Sequence, residues 1–241
     1  MFNKIINKII KISISLLVFL MPLFFLPFSF EAFEFNKQYL LFFLVVIAFL
    51  AWLGKMVLLD QEVRFKRTPL DLFVLGFLFL AILSAVFSVN HGSSIFGFYG
   101  RFSDGLIGLL SLGVLYFLIT NNVKSALISV SDLVKTLIWS VSFVVLISYF
   151  SVFNVLVKIG DWLSLPQLLR QNTFNPVAGS LEGLAVFLAT IIVFLTGLIL
   201  FKIQDFRFKI LACWILLIAS LGLLIIIDFS SAWWTLLASL A

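Results

Sequence analysis

The sequence predicts an all-α fold: a polytopic transmembrane helical bundle with seven complete helices, the start of an eighth and a cytoplasmic N-terminus. Three observations carry that expectation. Of 241 residues, 63% are hydrophobic and 11% are charged, which leaves too little polar surface to coat a globule in water. The apolar residues fall in runs near the length that crosses a bilayer core, about 20 helical residues for about 30 Å. The polar loops between the runs carry Lys and Arg on alternate sides, as retention of cations in the cytoplasm requires.

The runs cover residues 9–30, 39–59, 70–89, 105–120, 133–157, 180–201, 210–227 and 232–241. Lys4, Lys8 and Lys11 precede the first, but its core is longer than a secretory h-region, and Phe28-Ser29-Phe30-Glu31 has no small-x-small cleavage pattern. Pro22 and Pro27 are expected to kink this first spanning helix, with neighbouring helices satisfying the freed carbonyls. Thr68-Pro69-Leu70-Asp71 reads as an N-cap, a proline at the first helical position and an acid in the first turn, so it starts the third helix. Ser129 to Asp132 offers a similar start for the fifth, after a loop whose Ala126, Leu127 and Ile128 are expected on the membrane surface. The eighth run has ten residues and reaches about 15 Å, half a bilayer, so the chain is expected to continue beyond Ala241. No internal repeat, low-complexity tract or linker is present, and residues 1–241 read as a single transmembrane domain.

With the N-terminus inside, the inner side holds Lys4, Lys8, Lys11, Lys55, Arg64, Lys66, Arg67, Lys124, Lys135, Lys202, Arg207 and Lys209, which is 12 of the 16 cations. Lys37, Arg101, Lys158 and Arg170 fall outside. The net charge of +5 thus reports orientation in a membrane, and no basic stripe supports binding of nucleic acid. Cys213 is the sole cysteine and His91 the sole histidine, and no cluster has metal-ligand spacing, so neither a disulfide nor a metal or other cofactor is expected.

Function is sought on the outer face, where polar residues are few. Residues 90–105 hold four glycines, the aromatics Phe96, Phe98, Tyr99 and Phe102, and Arg101. Glycine lets backbone N–H groups approach an anion and an Arg fork grips phosphate, which would suit a diphosphate at the membrane surface. The same residues equally describe a tight turn, an interfacial aromatic belt and a solvated cation. In residues 158–179, Trp162, Leu163, Leu165, Leu168 and Leu169 alternate with Asp161, Gln167 and Arg170, which fits a short interfacial helix interrupted by Pro166. Arg170 to Pro176 then leads into the sixth helix, either as a turn with an N-cap or as a binding segment.

Glu182 is a carboxylate about one turn inside that helix, where an ionised group is costly. It shares a face with Ala178, Ala185 and Ala189, beside a Gly179/Gly183 pair at Gly-x-x-x-Gly spacing, so it is expected to point into the bundle. Arg101 or Arg170 could pair with it structurally, or it could serve substrate or proton transfer. Asp228 reads as an interfacial cap.

Phe28 through Lys37 to Trp52, Thr68-Pro69-Leu70-Asp71, the run from Ser94 to Leu106, and Thr173-Phe174-Asn175-Pro176 together resemble the N-terminal half of the O-antigen ligase and O-antigen polymerase family. The resemblance implies a glycosyltransferase of the bacterial inner membrane. Its donor would be a glycan on a polyprenyl (undecaprenyl) diphosphate carrier, passed to an acceptor at the outer face, and membrane lipid would surround it. By motif position Arg101 and Arg170 are the implied diphosphate contacts, with Glu182 orienting one of them. The family's catalytic histidine lies in a large outer loop after the region matched, so this chain alone is expected to be inactive, and His91 does not take that role. Ser231 in Asp228-Phe229-Ser230-Ser231 stands where the family carries Arg. Two other classes fit the same outer cations: a transporter or flippase for a lipid-linked or anionic solute, and a non-catalytic membrane scaffold.

Overall fold

The structure is a computed structural model that describes residues 2–29, 31–57, 66–123, 128–162, 166–200 and 210–240. The described residues form ten α-helices and no strands: α1 (Phe2–Leu20), α2 (Glu34–Lys55), α3 (Asp71–Val86), α4 (His91–Phe96), α5 (Leu106–Val123), α6 (Val130–Val152), α7 (Val155–Trp162), α8 (Leu181–Leu200), α9 (Ile210–Ile227) and α10 (Ser230–Leu240). By length and composition α2, α6 and α8 can each cross a membrane, and α3, α5 and α9 are shorter apolar helices. The inner-loop cations Arg64, Lys124, Lys202, Arg207 and Lys209 lie outside the described residues, as do Ala126, Leu127, Leu163 and Leu165.

The chain divides into two compact units, Met1–Met21 with Phe28–Thr136, and Pro22–Pro27 with Leu137–Ala241. In the first, α1 turns Ile6, Ile10, Ile14 and Leu17 onto Leu41, Leu44, Val45, Ala48 and Trp52 of α2. That spacing is one helical stripe, and the lysines of α1 stay on its exposed side. The helix begins earlier than the sequence suggests and stops at Leu20, so Pro22 ends α1 instead of kinking it. The reason is local: proline supplies no N–H for the next turn and pushes the residue before it out of helical geometry. Ile128, expected at the membrane surface, is buried in this same core.

The entry to α2 is built by its own acids and amides. Glu31 accepts from the backbone N–H of Glu34 and Phe35 at 3.1 and 2.8 Å, which caps two free donors of the first turn. Buried Asn36 donates back to the carbonyls of Glu31 and Ala32 and to Ser29 Oγ. Lys37, read from the sequence as an outer-loop cation, sits in α2 with 9% of its surface exposed. The start of α3 differs from the cap that the sequence implies: the helix begins at Asp71 with Leu70 before it, and the Thr68 hydroxyl donates to Asp71 instead of accepting from a helix N–H. Asp71 accepts from the backbone N–H of Thr68 at 2.7 Å and from its hydroxyl at 2.6 Å, while the Asp71 N–H donates to the Thr68 carbonyl.

In the second unit α6, α8 and α9 share a core of Val141, Val144, Leu184, Leu188, Leu195, Leu216 and Leu223. Tyr149 on α6 donates to the Ala219 carbonyl at 2.9 Å, and the crossing is possible because residue 222 is glycine; a Cβ there would lie 2.7 Å from the Tyr149 hydroxyl. Ala185 and Ala189 pack on Leu224, Ala232 and Leu236, so the small-residue face of α8 does meet neighbouring helices. The expected fifth span, 133–157, is two helices. Asn154 takes a φ of 59° between α6 and α7 and turns the chain, and the amphipathic short helix comes at Val155–Trp162, earlier than expected.

Both units leave large apolar side chains uncovered along their helices, among them Leu72 at 77%, Phe73 at 73% and Trp234 at 72% exposure. A core this small beneath a surface this apolar is stable where lipid, not water, is the surrounding solvent.

Candidate functional site

The segment that carries Arg101 is held by close backbone packing. Asn90 caps α4 through Ser93 N–H, and His91, also on α4, places Nε2 3.1 Å from the Val86 carbonyl. Gly97 follows with a φ of 80°, then the Phe98 to Arg101 turn, closed by Arg101 N–H donating to the Phe98 carbonyl at 2.8 Å. A 3-10 turn at Phe102–Asp104 and Gly105 complete it. A Cβ on Gly97 would lie 2.7 Å from the Phe102 Cα, and one on Gly105 would lie 2.5 Å from the Gly97 nitrogen. These glycines let the chain approach itself. The amides of Gly97, Arg101, Ser103 and Gly105 are all used within the protein, and the Arg101 side chain is the cation of the segment.

The loop is tied down to α2. Ser103 donates through its N–H and its hydroxyl to Glu34 Oε1 at 3.2 and 2.6 Å, and the Phe102 ring meets Phe35 edge-on at 5.0 Å. Beneath it lies a cavity of about 240 Å³ lined by Phe35, Gln38, Tyr39, Phe42, Phe96, Phe102 and Ile107. Gln38 is 8% exposed and its Nε2 has no hydrogen-bond partner. Arg101 stays exposed at the rim, and its guanidinium makes no hydrogen bond or ion pair among the described residues.

The cavity is the upper part of a longer groove. Phe42 and Ile107 also line a cavity of about 150 Å³, which in turn shares Phe49 and Val114 with one of about 680 Å³. Helices α2 and α5 run in the same sense, with Phe35 and Ile107 at the Arg101 end, and Trp52 and Phe117 at the Thr68 end. The 17 helical steps from Phe35 to Trp52 make the groove about 26 Å long, close to the thickness of a bilayer core.

The other two residues singled out in the sequence belong to the second unit. Arg170 ends the 3-10 turn Gln167–Arg170 and pairs with Asp161 at 3.4 Å. Glu182 does not point into the bundle: it is exposed in the first turn of α8, where a carboxylate is favoured by the unpaired N–H groups of the helix start. The buried side of α8 begins at Leu184 and Ala185. Gly179 lies before the helix with a φ of 70°, and the space beside Gly183 is filled by Ala178, so the two glycines form no helix-packing pair.

The segment before α8 is the capped turn. Asn175 is fully buried, accepts from Ala178 N–H at 3.1 Å and donates to the Ser180 carbonyl at 3.0 Å, while Ser180 Oγ accepts from Gly183 N–H. Ser151 of α6 fastens it by donating to the carbonyls of Gln171 and Asn172. Phe174 packs edge-on against Phe25 at 5.1 Å. Asp228 takes a φ of 48° at the turn between α9 and α10. Among the described residues no group of three His, Cys, Asp or Glu side chains converges as a metal site would require.

Sequence reasoning missed Gln38 and the Thr68, Asp71 and Tyr116 cluster, in which the Tyr116 hydroxyl donates to Asp71 Oδ1 at 2.9 Å and also meets the Thr68 hydroxyl. The only available signal for Tyr116 was a lone tyrosine near the end of an apolar run that ends opposite the Thr68 cap. No family model, curated protein or solved structure matches this chain.

Proposed function

We propose that the chain is the N-terminal part of an O-antigen ligase-like membrane glycosyltransferase, which crosses the bacterial inner membrane several times from a cytoplasmic N-terminus. It holds a polyprenyl-diphosphate-linked glycan at the outer face for transfer to an acceptor. One observation carries this reading: Arg101, exposed and with a guanidinium that is unbonded among the described residues, sits on a glycine-fixed loop at the mouth of an apolar groove of bilayer length between α2 and α5. Such a group neutralises an anionic head while the groove takes the polyprenyl tail. Charge that develops on the departing diphosphate is stabilised by the same guanidinium, carried on a loop whose backbone is fixed. Arg170, paired with Asp161, would have to exchange that carboxylate for a phosphate to take its proposed role, and Glu182 stands in the first turn of α8.

A transporter or flippase is the second reading. It is favoured by the continuity of the groove from the Arg101 end to Arg67 at the other, a path along which a lipid could exchange sides.

Binding of undecaprenyl diphosphate to the purified chain in detergent tests the proposal. Binding that weakens by about tenfold or more in Arg101→Ala, and much less for the monophosphate, supports it. Equal binding of both variants overturns the role of Arg101. Faster exchange of labelled lipid between leaflets in reconstituted vesicles would favour the second reading.

A further inference from the structure

The wide end of the groove has a chemistry of its own. Helix α5 packs on both α2 and α3, while α2 and α3 hardly touch each other, so a cleft opens between them with α5 as its floor. Its volume is about 680 Å³, within the range of small-molecule sites and far more than a side chain needs. Phe49, Trp52, Leu75 and Phe117 make the walls apolar, and all the polar groups, Arg67, Thr68 and Asp71, stand at the rim, where α3 begins.

The rim carries a net positive charge: Arg67 and the neighbouring Lys66 outweigh the single carboxylate, Asp71, whose oxygens are already occupied by the Thr68 N–H, the Thr68 hydroxyl and the Tyr116 hydroxyl. Arg67 is exposed and makes no hydrogen bond or ion pair among the described residues, and exposed Lys66 adjoins it. Lys66 is placed by its own N–H, which donates to Asn121 Oδ1 at 2.8 Å and so fastens this strand of chain to the end of α5. An apolar cleft with cations at the level where a helix leaves the membrane is complementary to an amphiphile with an anionic head.

We propose that the cleft between α2 and α3 is a binding site for one anionic glycerophospholipid, whose phosphate pairs with Arg67 and whose acyl chain lies against Trp52 and Leu75. The site is at the end of the unit opposite Arg101 and takes a lipid of the leaflet on that side. It does not depend on the transferase reading.

Trp52 provides the readout. The 241-residue chain is reconstituted in phosphatidylcholine nanodiscs that contain, at equal mole fraction, either brominated phosphatidylglycerol or brominated phosphatidylcholine. The quenching due to Trp52 is taken as the difference from Trp52→Phe. The anionic lipid is expected to occupy the site about fivefold more readily, the effect of one basic residue near a membrane surface, and Arg67→Gln removes that preference while Arg67→Lys keeps most of it. Equal quenching by the two lipids identifies ordinary surrounding lipid and overturns the site. Absence of Trp52 quenching overturns it as well, and a preference that survives Arg67→Gln removes the assignment to Arg67. Loss of undecaprenyl diphosphate binding in Arg101→Ala has no bearing on any of these outcomes, so the two proposals fail separately.

Discussion

Gly97 and Gly105 show how a single residue type can serve a different end from the one its chemistry suggests. Flexible glycines beside an arginine suggest an anion cradle, yet here the missing Cβ atoms make room for the loop's own backbone. Gly105→Ala is therefore expected to open the loop, seen as faster proteolysis between Phe96 and Gly105 and loss of Arg101-dependent binding. Gly100→Ala meets open space and costs only its left-handed backbone, about 1 to 2 kcal/mol, with the loop still protected. Asn175 is a different case: Thr-Phe-Asn-Pro admitted either a turn or a binding segment, and the burial of the amide before the proline makes it a turn former. Asn175→Ala strands the Ser180 carbonyl and the Ala178 N–H and is expected to lower stability by about 1 to 3 kcal/mol in a thermal unfolding assay. Glu182 could not be placed from sequence, since its exposure depends on where the packing of α9 and α10 against α8 begins, and no local signal reports that.

At the scale of elements, most helices stand within a few residues of where hydropathy and caps put them, because an apolar run bounded by polar residues is read the same way by a ruler and by a bilayer. The exceptions share a cause. Hydropathy does not see backbone breaks inside apolar sequence: Phe153, Val155, Leu156 and Val157 continue the run that Asn154 interrupts, and the apolar residues after Pro22 hide the end of α1. Asn154→Gly is expected to be neutral within a few tenths of a kcal/mol, whereas Asn154→Val costs about 1 to 2 kcal/mol because a β-branched residue resists positive φ. The packing of α1 on α2 makes a second distinction. Ile10→Ala and Ile14→Ala remove buried side chains and leave cavities worth about 2 kcal/mol each. Ile9→Ala and Ile12→Ala remove exposed ones and are expected to change the unfolding midpoint little, since lipid fills the space as well as protein does.

For the whole molecule, cations can be counted loop by loop in a sequence without any knowledge of packing, but Lys37, counted with the outer loops, lies buried in α2. Lys11 and Lys135 both pair with Asp132, at 3.1 and 3.6 Å, which puts cations assigned to one side next to each other. Thr68, Tyr116 and Asn121 meet at one end of that unit, and Glu34, Phe102 and Ser103 at the other. What the sequence left hidden is the groove, because it arises from the approach of α2 and α5, remote in sequence, and because Gln38, which lines it, belongs to three successive polar residues, Asn36 to Gln38, that look like a loop and are buried in a helix.

Accessibility of single cysteines from the two sides of the membrane tests the central claim most directly. In a Cys213→Ala background, Tyr99→Cys at the Arg101 loop and Lys66→Cys at the other end are exposed to a membrane-impermeant thiol reagent, first in intact spheroplasts and then after lysis. The expected result is that Tyr99→Cys reacts in intact spheroplasts and Lys66→Cys only after lysis. The reverse pattern, or reaction of both from outside, would contradict an Arg101 loop that faces the outer surface and with it the proposed handling of an outward lipid diphosphate.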